Sequence, residues 1–294
     1  MSATEPTAPA ISIHPETRMG AVRLTVSDLG RARTFYEQSI GLRASELDDG
    51  GVALGAEGGE PLVELYGDAS APALNRRATG LFHLAILLPS RRDLALALVR
   101  LAQARWPLDG ASDHLVSEAL YLSDPDGNGI EIYRDRPRSD WPQAGGHLEM
   151  ATLPLDLDDV LGELSSEAGF QALAPAGTTM GHVHLQVADV ADSEAFYSGV
   201  LGFDVMVRAY PGALFVSAGG YHHHIGLNIW NSRGAAPPPP GSVGLRTFEV
   251  VVPGPDELQR VLARADAAGI AIESTNSGAL MRDPSGNGLI LRAA

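Results

Sequence analysis

Nine histidines stand in a chain that has no cysteine, at positions 14, 83, 114, 147, 182, 184, 222, 223 and 224. Without thiols, disulfides, thiolate catalysis, zinc fingers and iron–sulfur sites are excluded, so any metal must be held by nitrogen and oxygen. The segment from Thr179 to Asp189 reads as a strand that places His182, His184 and Gln186 on one face and Val183, Leu185 and Val187 on the other. Imidazoles on an inward face are costly to bury unless something engages them. Either this face meets water or it lines a cavity whose contents bind the rings. A lone histidine is more often a satisfied structural or surface group than a ligand, so the choice needs a second line of argument.

An internal repeat supplies it. Ala21 to Val26 reads as a strand leading into a helix capped by Ser27 or Asp28, with Leu29, Ala32, Phe35 and Tyr36 at helical spacing and Gly41 as the stop. The same pattern returns at Asp189, 161 residues after Asp28, with Phe196-Tyr197 and Leu201-Gly202 in register. Gly80 to Pro89 matches Gly244 to Pro253, each a strand running into a helix, Arg92 to Gln103 and Pro255 to Ala267. Asp124-Pro125-Asp126-Gly127-Asn128-Gly129 matches Asp283-Pro284-Ser285-Gly286-Asn287-Gly288, each a turn feeding a last strand. The chain is a tandem duplication, and each half contains two smaller strand–helix–strands units.

Three candidate ligands have lost their repeat mates: His83 faces Thr247, Glu131 faces Ile290, and His182 faces Ala21. Two histidines and a carboxylate form the facial set that holds Fe(II), or Mn(II), with coordination positions left open. Neither half owns all three. A complete site therefore requires the halves to pack as a pseudo-dimer, with His182 from the second meeting His83 and Glu131 from the first, while the mate site is dead. His184 shares the face of His182 and competes for the ligand role. Its neighbour is favoured because His182 precedes Asp189 by the same seven residues that separate Ala21 from Asp28.

These units, the helix signature ending Phe-Tyr-x-x-x-Leu/Ile-Gly, and Asp-Pro-x-Gly-Asn-Gly-Ile-Glu resemble the vicinal oxygen chelate superfamily, which includes glyoxalase I, fosfomycin- and bleomycin-resistance proteins and type I extradiol dioxygenases. The resemblance covers Met19 to Arg136 and Met180 to Arg292. It implies an α+β fold of four βαβββ modules, paired in tandem, whose curved mixed sheets surround a metal cavity. Finer features resemble bacterial catechol 2,3-dioxygenases with two tandem halves, which implies an iron-dependent ring cleavage of a catechol-type aromatic diol by O2. By that resemblance Tyr221 to Asn228 is a strand whose histidine pair supplies an acid or base beside the metal. His224 is the first choice, with His223 or His222 open, and His114 and Tyr121 are substrate or oxygen partners. Each has a plainer reading: the histidine run as an exposed strand edge, and Tyr121 as a core residue with a bonded hydroxyl. A glyoxalase-like isomerase or thiol transferase on the same fold is the nearest rival, and a metal-free binding protein of the bleomycin-resistance kind is the rival from another class.

The bulk composition is that of an ordinary soluble globular chain. With 294 residues there is length for two domains, and a formal charge of −15 with a pI near 4.9 disfavours nucleic acid and anionic membrane surfaces. No run approaches the roughly 20 apolar residues of a membrane helix. Residues 1–18, rich in Pro, Thr and Ala, read as a loose tail without signal-peptide character, so the expected location is the cytoplasm. The expected domains are 19–136 and 180–294, joined by a linker over 137–179 with a short helix at Leu157 to Leu164. Pro237 to Pro240 cannot lie inside a sheet. A homodimer stays open, although duplication already provides an internal two-fold.

Overall fold

The computed structural model describes residues 12–144, 147–164, 173–208 and 210–294. The first half runs β1 (Arg18–Val26), α1 (Leu29–Phe35), β2 (Arg43–Glu46), β3 (Val52–Gly55), β4 (Pro61–Gly67), β5 (Gly80–Leu87), α2 (Arg91–Gln103), β6 (Gly110–Asp113), β7 (Ser117–Ser123) and β8 (Gly129–Asp135). The connecting segment holds three two-residue strands, β9 (Gln143–Ala144), β10 (His147–Leu148) and β11 (Leu153–Pro154), and the short helix α3 (Leu157–Leu161). The second half repeats the plan: β12 (Thr179–Gln186), α4 (Val190–Glu194), β13 (Asp204–Val207), β14 (Ala213–Ser217), β15 (Ile225–Asn228), β16 (Gly244–Val252), α5 (Pro255–Ala267), β17 (Glu273–Thr275), β18 (Gly278–Arg282) and β19 (Gly288–Ala293).

Two curved mixed sheets result, ordered β17-β18-β19-β16-β1-β4-β3-β2 and β11-β6-β7-β8-β5-β12-β15-β14-β13. Each sheet joins one module from each half. The joints are the antiparallel pairs β1/β16 and β5/β12, so the two sequence repeats are not the two sheets. Helices cover the sheets through apolar stripes at helical spacing, as with Leu94, Ala97, Leu98 and Leu101 of α2, all buried.

The repeated sequence blocks have a shared structural cause. Asp28 caps α1 by accepting from Arg31 N–H, and Asp189 caps α4 by accepting from Ala191 and Asp192 N–H. Both helices widen into a π turn, over Tyr36–Ile40 and Ala195–Val200. The Tyr36 hydroxyl then donates to Asp124 Oδ2 at 3.4 Å, and the Tyr197 hydroxyl to Asp283 Oδ2 at 3.0 Å. Asp124 also accepts from Asp126 N–H, Asn128 N–H and Asn128 Nδ2, each at 2.9 Å. The Phe-Tyr and Asp-Pro-x-Gly-Asn-Gly motifs are the two ends of one contact, and it ties together the two modules of a half that sit in different sheets.

Of the expected tail, residues 1–11 lie outside the described residues. Ile13 is buried and its N–H donates to Gly202 O at 2.7 Å, so the segment just before β1 packs on the second half. In the linker, residues 145–146 and 165–172 lie outside the described residues; the helix there is shorter than expected, ending at Leu161.

Candidate metal centre

Strands β8, β5 and β12 are neighbours, and their register lines up a rung across the second sheet. Tyr121 pairs with Glu131, Glu131 with Ala85, and Ala85 with His182. The next rung reads His83, His184, Gly226 and Phe215. Ala85 is fully buried, and its methyl leaves room for longer side chains to meet above it. Gly181 makes a bulge between Met180 and His182, where a Cβ would collide with the Tyr133 hydroxyl. Only glycine leaves room there for the Tyr133 ring and hydroxyl.

His83, Glu131 and His182 converge from the two halves. Glu131 Oε2 lies 3.1 Å from His83 Nε2 and 3.1 Å from His182 Nε2, and one donor atom from each residue falls within 4.8 Å of the others. Exposures are 6%, 3% and 1%. The His83 contact lacks hydrogen-bond geometry, which leaves His83 Nε2 buried and unpartnered. Burial alone would push the Glu131 carboxyl up, but His182 and His83 beside it hold it well below the ordinary carboxylate range. Burial pushes His182 down to about 4. An ionised carboxylate with neutral imidazoles is the protonation state that binds a metal. The orphaned His83 nitrogen and this N,N,O donor set therefore fit a divalent ion better than an all-protein hydrogen-bond network.

A cavity of about 180 Å³ opens beside these three residues. His184 lines it with an unpartnered Nε2; burial, then nearby His83, holds its ring well below the usual imidazole range. Its ring lies against Gly226, where a Cβ would stand 2.9 Å from His184 Cγ. Tyr121 and His114 also line the cavity. His114 Nδ1 donates to Ala151 O at 2.7 Å, so its Nε2 accepts from the Tyr121 hydroxyl at 2.7 Å. Burial, then Glu131, raises the Tyr121 pKa well above the phenol range, so the hydroxyl keeps its proton. Phe82, Phe215, Trp230, Tyr210 and Met150 supply the cavity's large apolar surfaces, with the small polar Ser112, Ser117 and Thr152 among them. Tyr210 and Thr152, both lining the cavity, join hydroxyls at 2.6 Å and so link the second half to the connecting segment.

The histidine run departs from the strand reading. Tyr221 to His224 are irregular backbone following the turn at Gly219-Gly220, and β15 begins only at Ile225, so strand alternation of faces does not govern these residues. His224 does not line the cavity: its Nδ1 accepts from Ala218 N–H at 3.1 Å and lies 2.9 Å from Ser217 Oγ. His223 lines it instead, with its ring 4.0 Å from that of His182. Of the three histidines, the structure brings His223, one of the two left open, to the cavity and not His224, the first choice. Nothing in the local sequence announces the linker residues Met150 to Thr152 as cavity wall. Phe82 and Trp230 carried a weak signal, as large aromatics beside a histidine and a strand end.

The mate position is filled by charge. Glu249 occupies the place of Ala85 and accepts from Arg23 at 2.6 Å and from Arg292 at 3.0 Å. Arg23, at the place of His184, also donates to Glu64 at 2.7 Å. Among the described residues His83, Glu131 and His182 form the sole cluster with metal-ligand geometry.

With fold and site in view, the chain belongs to the Glyoxalase/Bleomycin resistance protein/Dioxygenase superfamily, which it matches over residues 18–132 and 179–291. It is 46% identical over 277 residues to the catechol-2,3-dioxygenase of Bacillus subtilis (strain 168), covering 93% of this chain and 96% of that protein. Crystal structures of glyoxalase I from Zea mays (TM-score 0.57, 16% identity, 94% of this chain and 92% of that one) and of the cppA protein from Streptococcus pneumoniae TIGR4 (TM-score 0.56, 11% identity, 94% and 98%) share the fold. Among the described residues, no helix is long and apolar enough to cross a membrane.

Proposed function

We propose that this chain is an extradiol dioxygenase that opens the ring of a catechol-type substrate with O2, using Fe(II), or Mn(II), held by His83, Glu131 and His182. The observation that carries the reading is the convergence of two imidazoles and one carboxylate from both halves beside a small cavity equipped with further hydrogen-bonding groups. The 46% identity to a catechol-2,3-dioxygenase supports the same reaction class.

When bound, the metal supplies a Lewis acid for the two ring oxygens and a redox partner for dioxygen. The chain supplies the rest. His223, neutral because burial and then His182 push its pKa well down, takes the proton of a catechol hydroxyl at the nitrogen that faces the cavity. Tyr121 keeps its proton and offers it to oxygen, oriented by its bond to His114. His184 presents Nε2 as an acceptor to the ring substituents or second hydroxyl. Phe82, Phe215 and Trp230 line the cavity, where they exclude water and pack against an aromatic ring. His224 is assigned the structural role of anchoring the 221–224 segment.

The test is catechol-dependent oxygen uptake by protein reconstituted separately with Fe(II) and Mn(II). The reading expects one O2 consumed per catechol and a ring-opened product. Metal-loaded protein that leaves catechol and oxygen untouched would exclude it and turn attention to isomerase chemistry on the same fold.

A further inference from the structure

Behind His223 lies a chain of contacts that the reaction as described does not use. His223 Nδ1 is 2.8 Å from His222 Nδ1, and His222 Nε2 is 2.8 Å from Asp135 Oδ1. His222 is fully buried, and Asp135 ends β8, the strand that also carries Glu131. The chain therefore crosses from the first half to the second beside the metal ligands. We propose that Asp135 and His222 are positioning residues that fix the tautomer of His223, so that its Nε2 faces the cavity as a bare acceptor.

A carboxylate only accepts, so the nitrogen of His222 facing Asp135 must be the one that donates. With one proton on that ring, His222 Nδ1 is left as an acceptor, and His223 Nδ1 must donate to it. His223 then has its proton on Nδ1 and its lone pair on Nε2. His222 from the same half and Asp135 from the other half decide which nitrogen can take the substrate proton. The surroundings reinforce the geometry: Trp141 and Tyr221 pack on His222 at 5.4 and 4.0 Å between ring centres, so the ring has little freedom to turn.

The inference rests on the dioxygenase reading for its consequence but not for its first test. In metal-free protein at neutral pH, nitrogen-15 NMR of labelled histidines, assigned by loss of one signal in His223→Gln, reads the tautomer directly. His223 is expected as the Nδ1–H form in the wild type and as a mixture in Asp135→Ala. Finding His223 as the Nε2–H form in the wild type, or finding His222 doubly protonated and donating to it, overturns the proposal. In the metal-loaded enzyme, Asp135→Ala should keep its metal and a KM within about twofold, while kcat falls roughly 10–100-fold, and Asp135→Glu should recover most of it. A wild type with the expected tautomer but no oxygen uptake refutes the dioxygenase reading alone. Full kcat in a folded Asp135→Ala refutes the positioning role alone.

Discussion

Replacing Glu131 with Gln changes one atom type and almost no volume, so its consequences isolate charge. In the native site Oε2 sits 3.1 Å from both imidazole nitrogens and is buried from water, and among the described residues no other carboxylate joins the cluster. A divalent ion held there would have Glu131 as its only anionic protein ligand among the described residues. Removing one partner of a buried charge pair typically costs about 3–5 kcal/mol. At about 1.4 kcal/mol per tenfold, metal affinity should fall on the order of 100- to several thousand-fold. The assay is thermal unfolding against metal concentration, paired with metal content after dialysis. At a hundredfold excess over the wild-type Kd, metal stabilises the wild type by about 2.7 kcal/mol, a rise of several degrees, and the variant by no more than about 0.4 kcal/mol. A variant that keeps the full metal-induced rise would refute the assignment of Glu131, and with it the argument that a lost repeat mate marks a ligand.

Three further outcomes follow from the same geometry. Glu249→Gln breaks the ion cluster that fills the mate position and should lower stability by on the order of 3–5 kcal/mol while metal content stays unchanged, as read by urea unfolding and metal analysis. His224, pushed down to about 3 by burial, is neutral in the fold and titrates near 6.5 when unfolded, so its contribution is present above pH 6.5 and drains away as pH falls toward 3. Between pH 7 and pH 5 the metal-free wild type should lose about 2 kcal/mol through this residue, a loss that His224→Gln removes from urea midpoints at the two pH values. Among catechols, 3,4-dihydroxybenzoate should be cleaved far less efficiently than 4-methylcatechol, because the cavity has no Lys or Arg in its lining to pair a buried carboxylate. Comparable kcat/KM for the two would show that the anion reaches solvent.

Much of this site was legible because the chain is written twice. Comparing His83 with Thr247, Glu131 with Ile290 and His182 with Ala21 turned three unremarkable residues into one candidate set, and helix caps at Asp28 and Asp189 set the frame for that comparison. What strand periodicity misread was Tyr221 to His224. A run of histidines has no periodicity of its own, and the backbone there is irregular before β15 begins. Which modules share a sheet was legible only through the ligands, since His182 can meet His83 and Glu131 only if β12 lies near β5 and β8, while no edge pattern announces the β5/β12 pairing itself. Arg23 and Glu249 on facing strands hinted that the mate site is plugged, but only the register places them on top of one another. The cavity wall from Met150 to Thr152 depends on where the linker crosses, which no local pattern encodes.

The central claim is that one metal is held across the two halves through His182 and not through its neighbour. Metal stoichiometry of purified, metal-reconstituted His182→Ala and His184→Ala, measured beside the wild type, tests it most directly. The expected result is one ion per chain in the wild type and in His184→Ala, and none in His182→Ala. Metal retained without His182, or lost with His184 alone, would contradict it.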